Sequence, residues 1–181
     1  MDKKDNCALL IIDMINNFKF KHGEVLADEA KQVSENIFSL KKKMQEKKRP
    51  IIYINDHYKL WQADFQKISE KCTNELSRPI IEQLYPDDTD FFLIKPMHSA
   101  FYGTALNMLL DNLEVQHLIL TGIAGNICVL FSANDAYMRG YKLSVPSDCI
   151  ASNDKHDNEY ALRMMKNVLQ ADIGDSRQIK I

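Results

Sequence analysis

Cysteine is scarce in this chain and forms no recognisable framework: Cys7, Cys72, Cys128 and Cys149 contain no C-x-x-C pair and no regular spacing. With Met1 to Asn6 polar and charged rather than leader-like, the thiols are expected to be reduced and the protein cytoplasmic. Glycine and proline are also sparse, at 6 and 5 residues, which argues against disorder. Long apolar runs are absent. Stretches such as Cys7 to Ile12 fall far short of the roughly 20 residues that cross a bilayer as a helix. An excess of one charge is missing too: 23 Lys and Arg face 25 Asp and Glu, for a net charge of −2. That balance argues against a partner held by counterion release, either nucleic acid or anionic lipid. The one cationic cluster, Lys41, Lys42, Lys43, Lys47, Lys48 and Arg49, reads as the solvated, dipole-complementing end of a helix.

What is present fits one globular domain over residues 1–181, long enough to build a core without staples. Short apolar runs alternate with longer amphipathic segments, the pattern of a parallel sheet covered by helices. Strands are predicted at Ala8 to Ile12, Ile51 to Ile54, Phe91 to Ile94, Leu118 to Thr121 and Leu143 to Val145, with a sixth at an edge over Gln178 to Ile181. Their nearly continuous apolar character implies burial on both faces. Helices are predicted over Val25 to Lys48, Thr104 to Leu113 with Thr104 as N-cap, Asn126 to Arg139, and about Asn158 to Ala171, from apolar residues spaced three and four apart. The fold class is therefore α/β, a three-layer α/β/α sandwich around a mostly parallel sheet of five or six strands. Asp56 to Pro79 reads as a long loop with short helical turns, of the kind that forms binding loops.

Ligands of such sheets bind beyond the carboxyl ends of the strands. Asp13 follows the first strand, Lys95 the third, and Cys128 opens the helix after the fourth. An Asp after a strand is ordinarily a turn residue, a Lys there is ordinarily solvated, and a Cys among apolar neighbours is ordinarily core. Their joint placement on one edge is what points to chemistry. A helix N-terminus and a nearby ammonium favour a thiolate, so a lowered thiol pKa is expected at Cys128. Asp13 can take and return a proton, and backbone N–H groups in Gly122 to Cys128 can hold an oxyanion. Hydrolysis of an amide or related carbonyl follows as the reaction class.

The chain resembles the isochorismatase-like cysteine hydrolases, a group that includes nicotinamidases and N-carbamoyl amide hydrolases. Three ordered motifs carry the likeness: Ala8-Leu9-Leu10-Ile11-Ile12-Asp13-Met14-Ile15-Asn16-Asn17-Phe18, Lys95-Pro96-Met97-His98-Ser99-Ala100-Phe101-Tyr102-Gly103-Thr104, and Thr121-Gly122-Ile123-Ala124-Gly125-Asn126-Ile127-Cys128-Val129. The resemblance implies Asp13, Lys95 and Cys128 as a catalytic triad. It also implies a cis peptide between Ile123 and Ala124, with amides near Ala124 and Cys128 as oxyanion donors, and a supporting role for Asp148. The cysteine leans toward amide chemistry, since many of the family's vinyl-ether hydrolases lack it. Homo-oligomers, dimer or larger, are expected.

Two departures qualify the resemblance. Gly125 stands where the family commonly has Thr, so a looser oxyanion loop is expected. Asn55-Asp56-His57-Tyr58 offers His57 without a suitably spaced second imidazole, so neither a bound metal nor another cofactor is expected. Phe18, His57, Tyr58, Trp61, His98, Phe101 and Phe131 are candidates for the wall around a small-molecule substrate, Phe18 and Trp61 foremost. Two other readings stand beside the hydrolase: a redox-sensing thiol at Cys128, and a non-catalytic scaffold of the same fold.

Overall fold

The computed structural model describes residues 6–181. The reading of Met1 to Asn6 as unlike a leader lies, apart from Asn6, outside the described residues. Strands β1 (Cys7–Ile12), β2 (Ile51–Asp56), β3 (Phe91–Lys95), β4 (His117–Ile123) and β5 (Lys142–Ser144) lie in the order β3-β2-β1-β4-β5, all parallel. A two-residue strand, β6 (Ile150–Ala151), pairs with β4 at Gly122 and Ile123, beyond the stretch taken by β5. One edge of β4 is thus covered twice, by β5 at its start and by β6 at its end.

Alternation along the buried strands separates two cores. Ala8, Leu10, Ile12, Ile52, Ile54, Leu118 and Leu120 face Leu106 and Leu110 of α4 (Leu106–Asn112), Ala133 and Ala136 of α5 (Leu130–Met138), and Ala161 and Met165 of α6 (Lys155–Asn167). Cys7, Leu9, Ile11, Ile51, Tyr53 and Ile119 face the long helix α1 (Gly23–Glu46) and Ile80 of α3 (Arg78–Gln83). The result is the three-layer sandwich. Along α1, Val33, Ile37, Leu40 and Met44 are all buried, at the three- and four-residue spacing visible in the sequence.

Several sequence expectations need correction. Gln178 to Ile181 is not a strand: Ser176–Gln178 is a 3-10 turn, and Ile179 packs on the α1 side of the sheet. The Ile181 carbonyl accepts from Lys47 Nζ at 2.7 Å, so apolar alternation there serves packing against α1 rather than strand pairing. In the stretch after Asp56 the short helical segments expected within the loop are α2 (Phe65–Cys72), N-capped by Asp64, and the start of α3, with irregular chain before and between them. Lys41 is not a solvated lysine. It is buried, with Nζ 2.8 Å from both Asp87 Oδ2 and Asp90 Oδ2, because it lies one turn from both Ile37 and Met44 on the buried face of α1, where it meets the chain that enters β3. Thr104 lies one residue before the N-cap of α4, yet its hydroxyl accepts from Leu106 N–H at 3.2 Å.

Candidate active site

The carboxyl edge of the sheet is built by close approach of backbones. At Gly122, φ is 111°, and a Cβ there would lie 2.0 Å from the Ile12 carbonyl oxygen, so only glycine lets β4 run this near β1. The next step in β1 is Asp13, which leaves the strand with φ 53°, a left-handed conformation that Asp tolerates better than a β-branched residue. Its N–H still donates to Ile54 O at 3.0 Å. The turn that follows is held by Asn55, which donates to Ile15 O at 2.7 Å and accepts from Ile15 N–H at 3.2 Å.

This geometry places the Asp13 carboxylate between β2 and β3. Oδ1 accepts from Asp56 N–H at 2.9 Å, and Oδ2 lies 2.7 Å from Lys95 Nζ. Lys95 Nζ lies 3.5 Å from Cys128 Sγ and donates to Met97 O at 3.2 Å. Asp13 and Lys95 are buried, while Cys128 is half-buried. All three line one cleft of about 330 Å³ with Asn16, Asn17, Phe20, Asp56, Tyr58, Pro96, Met97 and His98. The three chain segments far apart in sequence thus converge.

The charge state of the sulfur differs from the expectation. Burial pushes the Cys128 thiol up to about 12, the Asp13 carboxylate adds to the rise, and Lys95 offsets it only in part. The ammonium sits closer to Asp13 than to the sulfur, so most of its field is spent there. For Lys95, burial works against the charged form, but the Asp13 carboxylate outweighs it and holds the pKa above its ordinary value. The resting arrangement is therefore a thiol beside a carboxylate–ammonium pair, with the proton available to Asp13.

The sulfur is carried on a π-helical turn, Gly125–Val129, entered through a cis Ile123–Ala124 peptide. The Ala124 carbonyl accepts from the Ile127 and Val129 N–H groups, both at 3.1 Å, and Asn126 N–H donates to Ser152 Oγ at 3.0 Å. Those three amides are thereby committed. Gly125 is closely packed: a Cβ there would lie 2.2 Å from Asn158 Oδ1. Asn158 accepts from Ser152 Oγ at 2.8 Å, so a chain of hydrogen bonds from α6 braces the turn in the space a side chain at 125 would take. A second brace joins the lysine segment to α5, where Ala100 N–H donates to Ser132 Oγ at 2.9 Å and Ser132 donates to Cys128 O at 2.6 Å.

The aromatic expectations fare unevenly. Tyr58 and His98 line the cleft. Phe18, expected foremost, is buried in the α1 core, because a left-handed backbone at that residue turns its ring inward. Phe101 is buried in the other core, with Arg139 over its ring at 4.7 Å. His57 and Trp61 stack on each other at 3.9 Å outside the cleft lining, with Trp61 66% exposed. Phe131 is exposed, 5.8 Å from the His98 ring. Asn16, Asn17, Pro96 and Met97 were missed as wall residues, although each sits inside a motif next to its reactive side chain. Ser132, Ser152 and Asn158 carried no sequence signal, since their role depends on which helix meets the turn. Asp148 lies away from the cleft and pins the C-terminal segment, accepting from Ser176 N–H at 2.9 Å and Oγ at 2.7 Å.

His57 Nδ1 accepts from Lys59 N–H at 3.0 Å, and Asp56 Oδ1 from Tyr58 N–H at 2.7 Å. Among the described residues no three His, Cys, Asp or Glu side chains are grouped to hold an ion. No helix among them is long and apolar enough to cross a membrane.

The model of the isochorismatase domain matches residues 7–178. The chain belongs to the isochorismatase family. Membership makes it a hydrolase. It is 59% identical over 179 residues to the uncharacterized isochorismatase family protein YaaI of Bacillus subtilis (strain 168), covering 99% of this chain and 98% of that one. Among solved structures it is similar to N-carbamoylsarcosine amidase from Thermoplasma acidophilum, at 25% identity and TM-score 0.75 over 97% of this chain and 99% of that one. It is also similar to pyrazinamidase/nicotinamidase from Streptococcus mutans UA159, at 28% identity and TM-score 0.73 over 92% of this chain and 99% of that one.

Proposed function

We propose that this member of the family hydrolyses a small amide through a covalent Cys128 intermediate. The observation that carries the reading is the contact of Lys95 Nζ with both Asp13 Oδ2, at 2.7 Å, and Cys128 Sγ, at 3.5 Å, in one cleft. Asp13 accepts the thiol proton as sulfur attacks the carbonyl carbon, and Lys95 compensates the negative charge that passes between them. The oxyanion forms beside the turn Ala124 to Cys128. Ala124 and Cys128 N–H are taken as its donors, as the family resemblance implies. Asp13 then gives its proton to the leaving nitrogen, and the C–N bond breaks to leave a thioester. Water, deprotonated by Asp13, attacks the thioester. The acid leaves and the thiol is restored.

Amide-cleaving relatives of similar fold support this choice over other carbonyl chemistry. A redox-sensing role has weaker support, because the thiol is raised rather than lowered and Cys7, Cys72 and Cys149 are buried, which leaves no exposed resolving partner among the described residues. The substrate is proposed to be a small molecule, with neither nucleic acid nor membrane as partner, in a cytoplasmic homo-oligomer. The test is turnover of a panel of small amides by the wild type, Cys128→Ala and Asp13→Asn, with iodoacetamide as a trap for the thiol. Release of ammonia or amine by the wild type alone is expected. Turnover that survives Cys128→Ala, or none by the wild type on any amide, overturns the reading.

A further inference from the structure

We infer that the cleft accepts uncharged and cationic amides and discriminates against amides that carry a carboxylate, with Asp56 setting the preference. This deepens the amide-hydrolase reading and rests on it. The formal charges in the wall belong to Asp13, Asp56 and Lys95. Asp13 and Lys95 are buried and 2.7 Å apart, so they neutralise each other and offer no free charge to a ligand. Asp56 is what remains. Its Oδ1 accepts from Tyr58 N–H at 2.7 Å, its Oδ2 has no hydrogen-bond partner among the described residues, and the residue is exposed.

Among the described residues no arginine lines the cleft, and Lys19 and Lys59, chain neighbours of Phe20 and Tyr58, are not in its wall. Asn16 and Asn17 are the other polar groups. Each uses its side-chain oxygen to accept from a backbone N–H two residues on, at 2.8 Å from Phe18 and 2.9 Å from Lys19. Their amide nitrogens are left as neutral donors suited to a carbonyl oxygen. A carboxylate that entered would give up hydration and meet, among the described residues, no cation but Lys95, already paired with Asp13, and would face the like charge of Asp56. An ammonium or an extra N–H would find Asp56 Oδ2 as its acceptor.

The experiment reads Cys128 directly, without requiring turnover. Cys7, Cys72 and Cys149 are buried, so methanethiosulfonates report on Cys128, with Cys128→Ala as the blank. Rates with the methyl, trimethylammonioethyl and sulfonatoethyl reagents are measured at pH 8, and each is divided by its rate with free cysteine. The normalised cation-to-anion ratio is expected to be on the order of tenfold, the effect of one uncompensated unit charge within a few ångströms. Asp56→Asn is expected to bring it near one. A ratio near or below one in the wild type, or one that persists in Asp56→Asn, overturns the inference. A parallel comparison of butanamide, 4-ammoniobutanamide and succinamate separates the two readings. No turnover of any of them counts against the amide reading while the thiol ratio still decides the charge preference, and succinamate as the best substrate counts against the preference alone.

Discussion

Adding a single methyl group at Gly125 tests the account of the turn that carries Cys128 most sharply. In Gly125→Ala the new Cβ would lie 2.2 Å from Asn158 Oδ1, 3.0 Å from Ile150 Cδ1 and 3.3 Å from Ser152 Oγ. The isoleucine tip and the serine can give by a few tenths of an ångström, but Asn158 must move away, and its 2.8 Å bond from Ser152 breaks. Overpacking of this kind costs about 1–3 kcal/mol, and the lost hydrogen bond adds about 1 kcal/mol. A total of about 2–4 kcal/mol corresponds to a fall in Tm on the order of 5–15 °C for a domain of this size. Asn158→Ala alone removes the hydrogen bond without the clash and should lose only about 1 kcal/mol. The double variant should therefore be little worse than Asn158→Ala, a coupling of at least about 1 kcal/mol in a double-mutant cycle. Thermal scans and urea titrations of the four proteins measure it. Strictly additive losses, or a Gly125→Ala protein as stable as the wild type, would refute the claim that Asn158 fills the place of a side chain at 125.

Two further outcomes follow from buried or half-buried ionisable groups. Lys41→Met should lower stability by about 3–5 kcal/mol in urea titrations, because the Asp90 side chain, 2% exposed and 2.8 Å from Lys41 Nζ, loses its counter-charge; a loss below about 1 kcal/mol would show that the pair is no more than a surface bridge. Burial pushes the Cys72 and Cys128 thiols up to about 12, and burial raises Cys149 as well, so above the ordinary thiol range near pH ~8.5 the unfolded chain sheds protons that the fold retains. The unfolded state then binds fewer protons, and stability falls as pH rises from about 8.5 toward about 12; urea midpoints in reductant that stay level between pH 8 and pH 10 would contradict this.

Much of the architecture was legible because buried parallel strands leave continuous apolar runs and surface helices leave three- and four-residue stripes. Ala8 to Ile12 and Val33 to Met44 show both, and the observed β1 and α1 depart from the predicted bounds only at their ends. The sixth strand was misplaced because Ile179 and Ile181 alternate as a strand would, while the true edge piece, Ile150–Ala151, is too short to carry a period. Asp13, Lys95 and Cys128 could be picked out because each follows a strand on the same edge of the sheet. The wall of the cleft could not, since a left-handed residue such as Phe18 or Trp61 reverses which way its ring faces, and nothing in apolar spacing records that sign.

The order of apolar and polar residues by itself determined the layers and the run of strands, because periodicity fixes which face of each element is buried, and the strand ends pointed to Asp13, Lys95 and Cys128 as the side chains that meet at one edge. Tertiary structure alone decided that Cys128 rests as a thiol, that Lys41 is buried, that Phe18 and Phe101 belong to the cores, and that Ser152 and Asn158 stand behind Gly125. These depend on distances of a few ångströms between segments far apart in the chain. Such distances are set by strand register and turn conformation, which local pattern does not encode.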